Sequence, residues 1–276
     1  MPVPHLNSPL PAATFVVVDV ETTGLDAAKG ARVVELGALK LAGGRPVDHL
    51  LTLVDPGVPI PADATAVHGL TDADVAGQPP LADVLPAFYD FLGDAVLVAH
   101  NLKFDLSFLA RGAREAGLPP LANAAVDLLG LARTCRPGLA AYNLEALTAH
   151  LGLVNPAPHR SLGDVAVESE VLLTFLGEVA AARPGATVGD VVMLSRELEP
   201  TPAVAPAVIL ALEWALAAGD DVEIIYLGDE GESRRRISPR RVVARAGTLV
   251  VKAFCHERGA AREFRLDRVS FPGDTP

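Results

Sequence analysis

The first apolar positions of the chain fall in short unbroken runs. Phe15–Val20 reads FVVVDV, β-branched and apolar until its last residues, the pattern of a buried strand. Two more strands are predicted over Arg32–Leu41 and Val47–Val54, joined by the Gly-rich hairpin turn Ala42-Gly43-Gly44-Arg45. Leu81–Leu92 carries apolar residues at helical spacing, and Ala95–Ala99 is a further short buried strand. Helices are predicted over Lys103–Ala116, Asn143–Leu151 and Ser161–Ala182. The last is long and amphipathic, with Leu162, Val165, Leu172, Phe175, Leu176 and Val179 on one face. Strands first, then helices alternating with strands, predict an α/β fold for this part.

The pattern then changes. Arg183-Pro184-Gly185 ends the long helix, and Pro200, Pro202 and Pro206 follow within seven residues, which predicts a stiff extended linker. Beyond it a helix is expected over Ala207–Ala218. Short strands follow over Val222–Leu227, Arg234–Ile237, Arg241–Arg245, Leu249–Phe254 and Arg262–Leu266, separated by Gly-rich turns. The expected organisation is a domain over 1–183, a linker over 184–206 and a small β-domain over 207–276.

Composition sharpens this picture. Half of the 276 residues are hydrophobic, enough for a packed core. No apolar run reaches the roughly 18 residues a transmembrane helix needs, so no membrane partner is expected. The start, MPVPHLNSPLPAATF, has neither a basic n-region nor an apolar h-region, so no secretory signal is expected and the compartment is read as cytoplasmic. Cys135 and Cys255 read as two thiols in a reducing environment. Aromatic residues are 5% of the chain, against a long stacking platform for single strands. The net charge of −11 weighs against a nucleic-acid partner until its distribution is read. Residues 1–200 hold 12 Lys and Arg against 23 Asp and Glu, whereas residues 201–276 hold 11 of each. An acidic module can still act on nucleic acid when divalent metals neutralise its carboxylates.

The carboxylates are placed with some pattern. In Asp19-Val20-Glu21-Thr22-Thr23-Gly24-Leu25, Asp19 and Glu21 are two apart on a strand and share a face. They read either as a solvated strand end or as a pair that needs a cation. Asp105, in His100-Asn101-Leu102-Lys103-Phe104-Asp105, falls on the first turn of a helix just past a strand. Asp164, in His159-Arg160-Ser161-Leu162-Gly163-Asp164, falls on the first turn of the long helix, with His159 in the loop before it. Each could be an ordinary acid at a helix start, favoured by the macrodipole. Asp26, Glu35 and Asp127 are read as structural or surface acids.

DVETTGL, VAHNLKFDLSFL and HRSLGDV, in that order and spacing, resemble the three motifs of DnaQ-like exonucleases of the DEDDh branch, with the histidine five residues before the last acid. Val67-His68-Gly69-Leu70-Thr71 and Tyr142-Asn143-Leu144-Glu145-Ala146-Leu147 resemble two intervening segments of the same family, so the resemblance runs over about residues 13–182. It implies a ribonuclease-H-like fold and a 3′→5′ exonuclease releasing 5′-mononucleotides. It implies that Asp19, Glu21, Asp105 and Asp164 hold two divalent ions, Mg²⁺ or Mn²⁺, and that His159 is the general base. Histidine suits that role with its ordinary pKa of about 6.5. It further suggests that Thr22, Thr23, Leu25, His68, Asn101 and Phe104 contact the terminal nucleotide. The implied partner is a single-stranded 3′ end, DNA rather than RNA, in repair. An RNA-degrading enzyme and a non-catalytic regulator are the alternatives; a polymerase-bound proofreading subunit would call for a binding tail where this chain has a β-domain.

The second part has its own resemblance. Ile225-Tyr226, Ser233–Pro239, Lys252–Cys255 and Arg262–Val269 resemble a WYL domain over 207–271, a small β-barrel of the Sm/SH3-like type, with Thr248-Leu249-Val250 standing where Trp-Tyr-Leu is expected. Arg234 and Arg236 share one strand face, and Arg265 and Arg268 end the last strand. These four read as a nucleic-acid clamp, arginine forks suiting phosphate, or equally as a solvated face paired to Glu230, Glu232 and Asp267.

Overall fold

Val16, Val17 and Val18 are fully buried at the middle of a five-stranded sheet. The computed structural model describes residues 5–197, 205–229, 231–245 and 248–272. The first strands are β1 (Thr14–Thr22), β2 (Val33–Ala42) and β3 (Arg45–Leu53), antiparallel to one another. Gly43 and Gly44 join β2 to β3 at φ of 57° and 71°, values that cost glycine little and close a two-residue hairpin. Three helices follow: α1 (Ala62–His68), α2 (Asp72–Val75) and α3 (Leu81–Leu92). The chain then lays down β4 (Val96–Ala99), α4 (Leu102–Glu115), β5 (Ala125–Asp127) and α5 (Leu128–Cys135). β1, β4 and β5 run parallel, giving the order β3-β2-β1-β4-β5. Finally α6 (Leu144–Leu151) leads to α7 (Ser161–Ala182), which packs across β1 and β2. The helices α1, α2 and α5 and the strand β5 had no clear periodic signal; Thr71 and Asp74, a reciprocal capping box, marked the start of α2.

The expected linker over 184–206 is corrected by α8 (Val188–Leu194). Its Val188, Val191, Val192 and Leu194 are buried in the core of the first unit, so this stretch is held by apolar contact, not extended. The proline-rich run Glu199–Val204 lies outside the described residues. After it, α9 (Pro206–Ala218) turns Leu210 and Trp214 into the first core and Val208, Ile209 and Leu212 into the second. The Trp214 indole N–H also donates to the Asn123 carbonyl at 3.2 Å.

The second unit is an antiparallel five-stranded sheet of β6 (Val222–Gly228), β7 (Gly231–Arg245), β8 (Thr248–Cys255), β9 (Ala260–Arg265) and β10 (Val269–Ser270). Its order is β10-β6-β7-β8-β9, and one 3₁₀ turn, Leu266–Arg268, joins the two edge strands. The two strands expected over Arg234–Ile237 and Arg241–Arg245 are one continuous strand. Pro239 does not break it, because it lies past Ile237, the last residue paired to β6, where only β8 adjoins.

Candidate active site

β1 brings Asp19 and Glu21 to the carboxyl end of the parallel strands, where open α/β sheets leave a crevice. β4 ends beside it at Ala99, and Asn101, at φ 63°, turns the chain into α4. That turn puts Asp105 on the first helical turn, fully buried, with its Oδ1 accepting from the Val20 N–H at 3.2 Å. Asp164 stands on the first turn of α7, also buried. One carboxylate oxygen each from Asp19, Glu21 and Asp164 lie within 4.8 Å of one another, and the Asp105 charge acts directly on Asp19. His159, at φ 58° in the loop before α7, lines a cleft of about 350 Å³ together with Asp19, Asp164, Asn155 and His100.

Two close approaches hold this loop and helix. Glu35 on β2 is wholly buried and grips the start of α7: Arg160 Nη2 donates to it at 2.5 Å, and the Ser161 N–H and hydroxyl each donate at 2.8 Å. Burial alone would raise the Glu35 carboxyl; the Arg160 and Ser161 donors hold it below its ordinary value. A Cβ on Gly37 would lie 2.6 Å from the Ser161 hydroxyl, and one on Gly163 only 2.2 Å from the Ala157 carbonyl. Glycine at these positions lets β2 and the His159 loop touch α7. Asn155 in that loop donates to Asp164 at 2.5 Å. Asp127 and Asp26 are structural, as expected: Asp127 accepts from the Leu102 and Leu129 N–H groups, and Asp26 accepts from the Ala28 N–H.

The sequence reading missed Glu168. It lies one helical turn beyond Asp164 on the same face, is 2% exposed, and completes the cleft wall. That i, i+4 spacing was the available signal, but the long helix carries other acids that face water. Burial first, then the charges of Asp19, Asp105 and Asp164, pushes the Glu168 carboxyl well above its ordinary value. Asp19 is raised for the same reasons, by burial and then by Asp105, Glu21 and Asp164. Burial also raises Asp164, against the hydrogen bond from Asn155. Among the described residues, Asp19 Oδ2 and Glu168 Oε2 are buried with no hydrogen-bond partner. An all-oxygen set with orphaned buried carboxylate atoms suits a hard divalent cation.

This repulsion sets a pH dependence. Burial, then Asp164 and Glu35, raises Glu21 from its ordinary range to about 7. A carboxyl raised in the folded state contributes stability that is complete below its unfolded pKa and is lost as pH rises through the folded one. In EDTA the protein is therefore expected to lose melting temperature from pH 5 to 8, Glu21 alone contributing about 3 kcal/mol on the order-of-magnitude scale of proton linkage. Mg²⁺ is expected to stabilise more at pH 8 than at pH 5. Thermal melts across that range check this, and a flat profile in EDTA would contradict it.

Six further residues were expected to contact the terminal nucleotide. Thr22 is buried and donates to the Gly24 carbonyl at 2.8 Å, shaping the turn that leaves Leu25 88% exposed. The Thr23 hydroxyl accepts from the Arg32 N–H. His68 is buried, its Nδ1 accepting from the Leu70 N–H and its Nε2 unpartnered; burial lowers its pKa. Asn101 is exposed, and Phe104 is half-buried against Phe108, ring centroids 5.0 Å apart. The four arginines proposed as a clamp each hold a nearby acid: Arg234 with Glu223 at 3.2 Å, Arg236 with Asp221 at 2.8 Å, Arg265 with Asp267 at 2.6 Å and Arg268 with Asp229 at 3.1 Å. Of the acids expected to pair with them, Asp267 does so, and Glu230 lies outside the described residues.

The family model described as Exonuclease matches residues 16–172, and that of the WYL domain matches residues 207–271. The chain belongs to the exonuclease family, with a WYL domain as its second unit. It is 34% identical over 166 residues to the DNA polymerase III subunit epsilon of Aquifex aeolicus, covering 60% of this chain and 82% of that protein. It is 42% identical over 179 residues to a DNA polymerase III subunit epsilon-like protein of Rhodobacter capsulatus, covering 63% of this chain but a quarter of that protein (25%). It spans 11% of the PolC-type DNA polymerase III of Clostridium perfringens, at 39% identity and over 57% of this chain. Among solved structures, exonuclease X in complex with 5′ overhanging duplex DNA is 28% identical with a TM-score of 0.51, over 64% of this chain and 98% of that one. Exonuclease I of E. coli in complex with a dA16 oligonucleotide, at 15% identity and a TM-score of 0.57, shares the fold over 88% of this chain and 55% of that one. No helix among the described residues is long and apolar enough to cross a membrane.

Proposed function

We propose that the chain is a metal-dependent exonuclease that removes 5′-mononucleotides from 3′ ends, with DNA as the preferred substrate and repair as the setting. The observation that carries this reading is the oxygen cluster of Asp19, Glu21 and Asp164, with the charge of the buried Asp105 acting on Asp19, and with Asp19, Asp164 and His159 lining one cleft. Those four carboxylates would hold two divalent ions, Mg²⁺ or Mn²⁺. When bound, such ions offset the phosphodiester charge and acidify water. His159 takes the proton of the attacking water, held in place by the Asn155 loop and Gly163. The water oxygen joins the terminal phosphorus, the bond to the 3′ oxygen of the preceding nucleotide breaks, and that oxygen leaves with a proton. The freed nucleotide keeps its 5′ phosphate.

Thr22, Thr23 and the exposed Leu25 would seat the terminal nucleotide, with His68, Asn101 and Phe104 around its sugar and base. The names of the Aquifex relative and of the exonuclease X complex support DNA as the substrate. The test uses DNA and RNA, single- and double-stranded, labelled at the 5′ end. The expected result is a ladder shortening from the 3′ end, faster on DNA, with mononucleotide products and no reaction in EDTA. Direct release of the labelled nucleotide, or internal cuts, would overturn the reading.

A further inference from the structure

A second crevice opens between the two units. It measures about 260 Å³ and is walled by α4, α5, the end of α8, α9 and β7. Lys103, Arg133, Arg196, Arg240 and Arg241 line it, against Asp127, Glu197 and Glu213. Two of the arginines are already engaged, Arg133 with Glu197 at 3.3 Å and Arg196 with Glu213 at 2.6 Å. Asp127 is turned inward to cap α4 and α5. What is left facing the opening is cationic. Lys103, Arg240 and Arg241 are exposed and have no carboxylate partner among the described residues.

The backbone makes this possible. Consecutive residues of a regular strand point to opposite faces. In β7 the pairing to β8 steps from Pro239 with Ala253 directly to Arg241 with Lys252, leaving Arg240 as an extra, unpaired residue. Such a bulge re-aims side chains, and here Arg240 and Arg241 both line the same crevice. On the other wall, Lys103 stands two residues before Asp105, so the first turn of α4 presents a lysine to this crevice and a buried carboxylate to the active site. The contrast with Arg234, Arg236, Arg265 and Arg268, each tied to its own acid, is direct.

We propose that this crevice, through Arg240, Arg241 and Lys103, holds backbone phosphates of the single-stranded nucleic acid whose 3′ end occupies the active site. The inference rests on the nuclease reading given above. It relocates the clamp from the ion-paired sheet face to the seam between the units. The exonuclease unit is acidic overall, and a substrate strand is repelled wherever no cation screens it. Lys103, on the helix that also carries Asp105, ties this cationic crevice to the element that builds the centre where the strand ends. Guanidinium forks suit phosphate oxygens, and a shared helix ties the two contacts to one ligand.

The test uses the full chain in a His159→Ala background, so that bound strands stay intact, with Mg²⁺ present. Binding of fluorescent oligothymidylates of about twenty and about three nucleotides is followed by anisotropy across a salt series. Arg240→Ala with Arg241→Ala is expected to weaken the long strand about tenfold, and to lower the salt slope by about 1.4, two contacts at roughly 0.7 each. The short strand is expected to bind as before, as are both strands with Arg234→Ala and Arg236→Ala. Arg240→Gln with Arg241→Gln, which preserves side-chain bulk, is expected to repeat the loss, and unchanged melting temperatures exclude a folding defect. Unchanged affinity and slope on the long strand, or equal loss on long and short strands, would overturn the proposal. Failure of the wild-type chain to cleave any oligonucleotide would overturn the nuclease reading; the salt slope judges the clamp separately.

Discussion

Asp19→Ala is expected to bring cleavage of a 5′-labelled oligonucleotide down to background while raising the melting temperature in EDTA. The two effects have one cause. Asp19 is the residue through which the cluster is joined: it shares the oxygen cage with Glu21 and Asp164, and its charge raises Glu168 ahead of all other neighbours. Removing it takes away a proposed ligand and also a buried carboxylate whose Oδ2 has no hydrogen-bond partner. An unsatisfied buried polar group of this kind costs about 1–3 kcal/mol, and more when it is charged. The stabilisation by Mg²⁺ expected of the wild type should shrink or vanish in the variant. Melts with and without Mg²⁺, beside a cleavage assay, check all three outcomes. A purified variant that retains wild-type turnover would end the metal-cage reading, and one that melts lower in EDTA would show that Asp19 is there for packing.

The second large effect concerns His159. Its replacement by alanine is expected to cut turnover by about 10²–10⁴-fold, the usual range for loss of a general base. Metal-dependent stabilisation should stay close to that of the wild type, because the ligand atoms found together belong to Asp19, Glu21 and Asp164, without His159. The residue is held in a left-handed backbone conformation, so Ala carries some strain in the loop. His159→Asn, better suited to that conformation, separates strain from proton transfer: it should keep the loop and still lose turnover. Titration of Mg²⁺ by the melting shift decides the point. Parallel loss of metal affinity and turnover would make His159 a ligand.

Much of the first unit was legible because its signals are short-range. Buried β-branched runs gave the sheet, and three segments gave the acids, each at a strand end or a first helical turn. What escaped depends on contacts between distant segments. α8 reads in sequence as the tail of a Gly- and Pro-containing stretch, and only its docking on the first core makes a helix of it. Thr187 and Asp190, which cap it reciprocally, were its one local sign. Glu168 is set apart from the other acids of α7 only by its i, i+4 spacing from Asp164. Arg240 and Arg241 escaped because strict alternation assigns them to opposite faces, and the bulge that overrides it is set by pairing with β8. Of the arginines that were singled out, Arg234, Arg236 and Arg268 are paired by acids from other strands and turns that no spacing rule would have matched to them, and Arg265 by Asp267, the local acid that was expected.

Helix α9 has a consequence for how the chain can be taken apart. It belongs to the WYL match by position, yet Leu210 and Trp214 are buried in the exonuclease core, and Met193 of α8 is buried in the core of the sheet. Each unit thus completes the other's interior. Their unfolding is therefore expected to be linked, in a single transition rather than two. A weakness introduced at Ile237 or Phe264, in the sheet's core, is expected to lower the stability of the exonuclease unit as well. A fragment cut after residue 197 would not be a bare nuclease: it would be one with an open apolar wound where Trp214 had been, prone to self-association before any question of substrate arises.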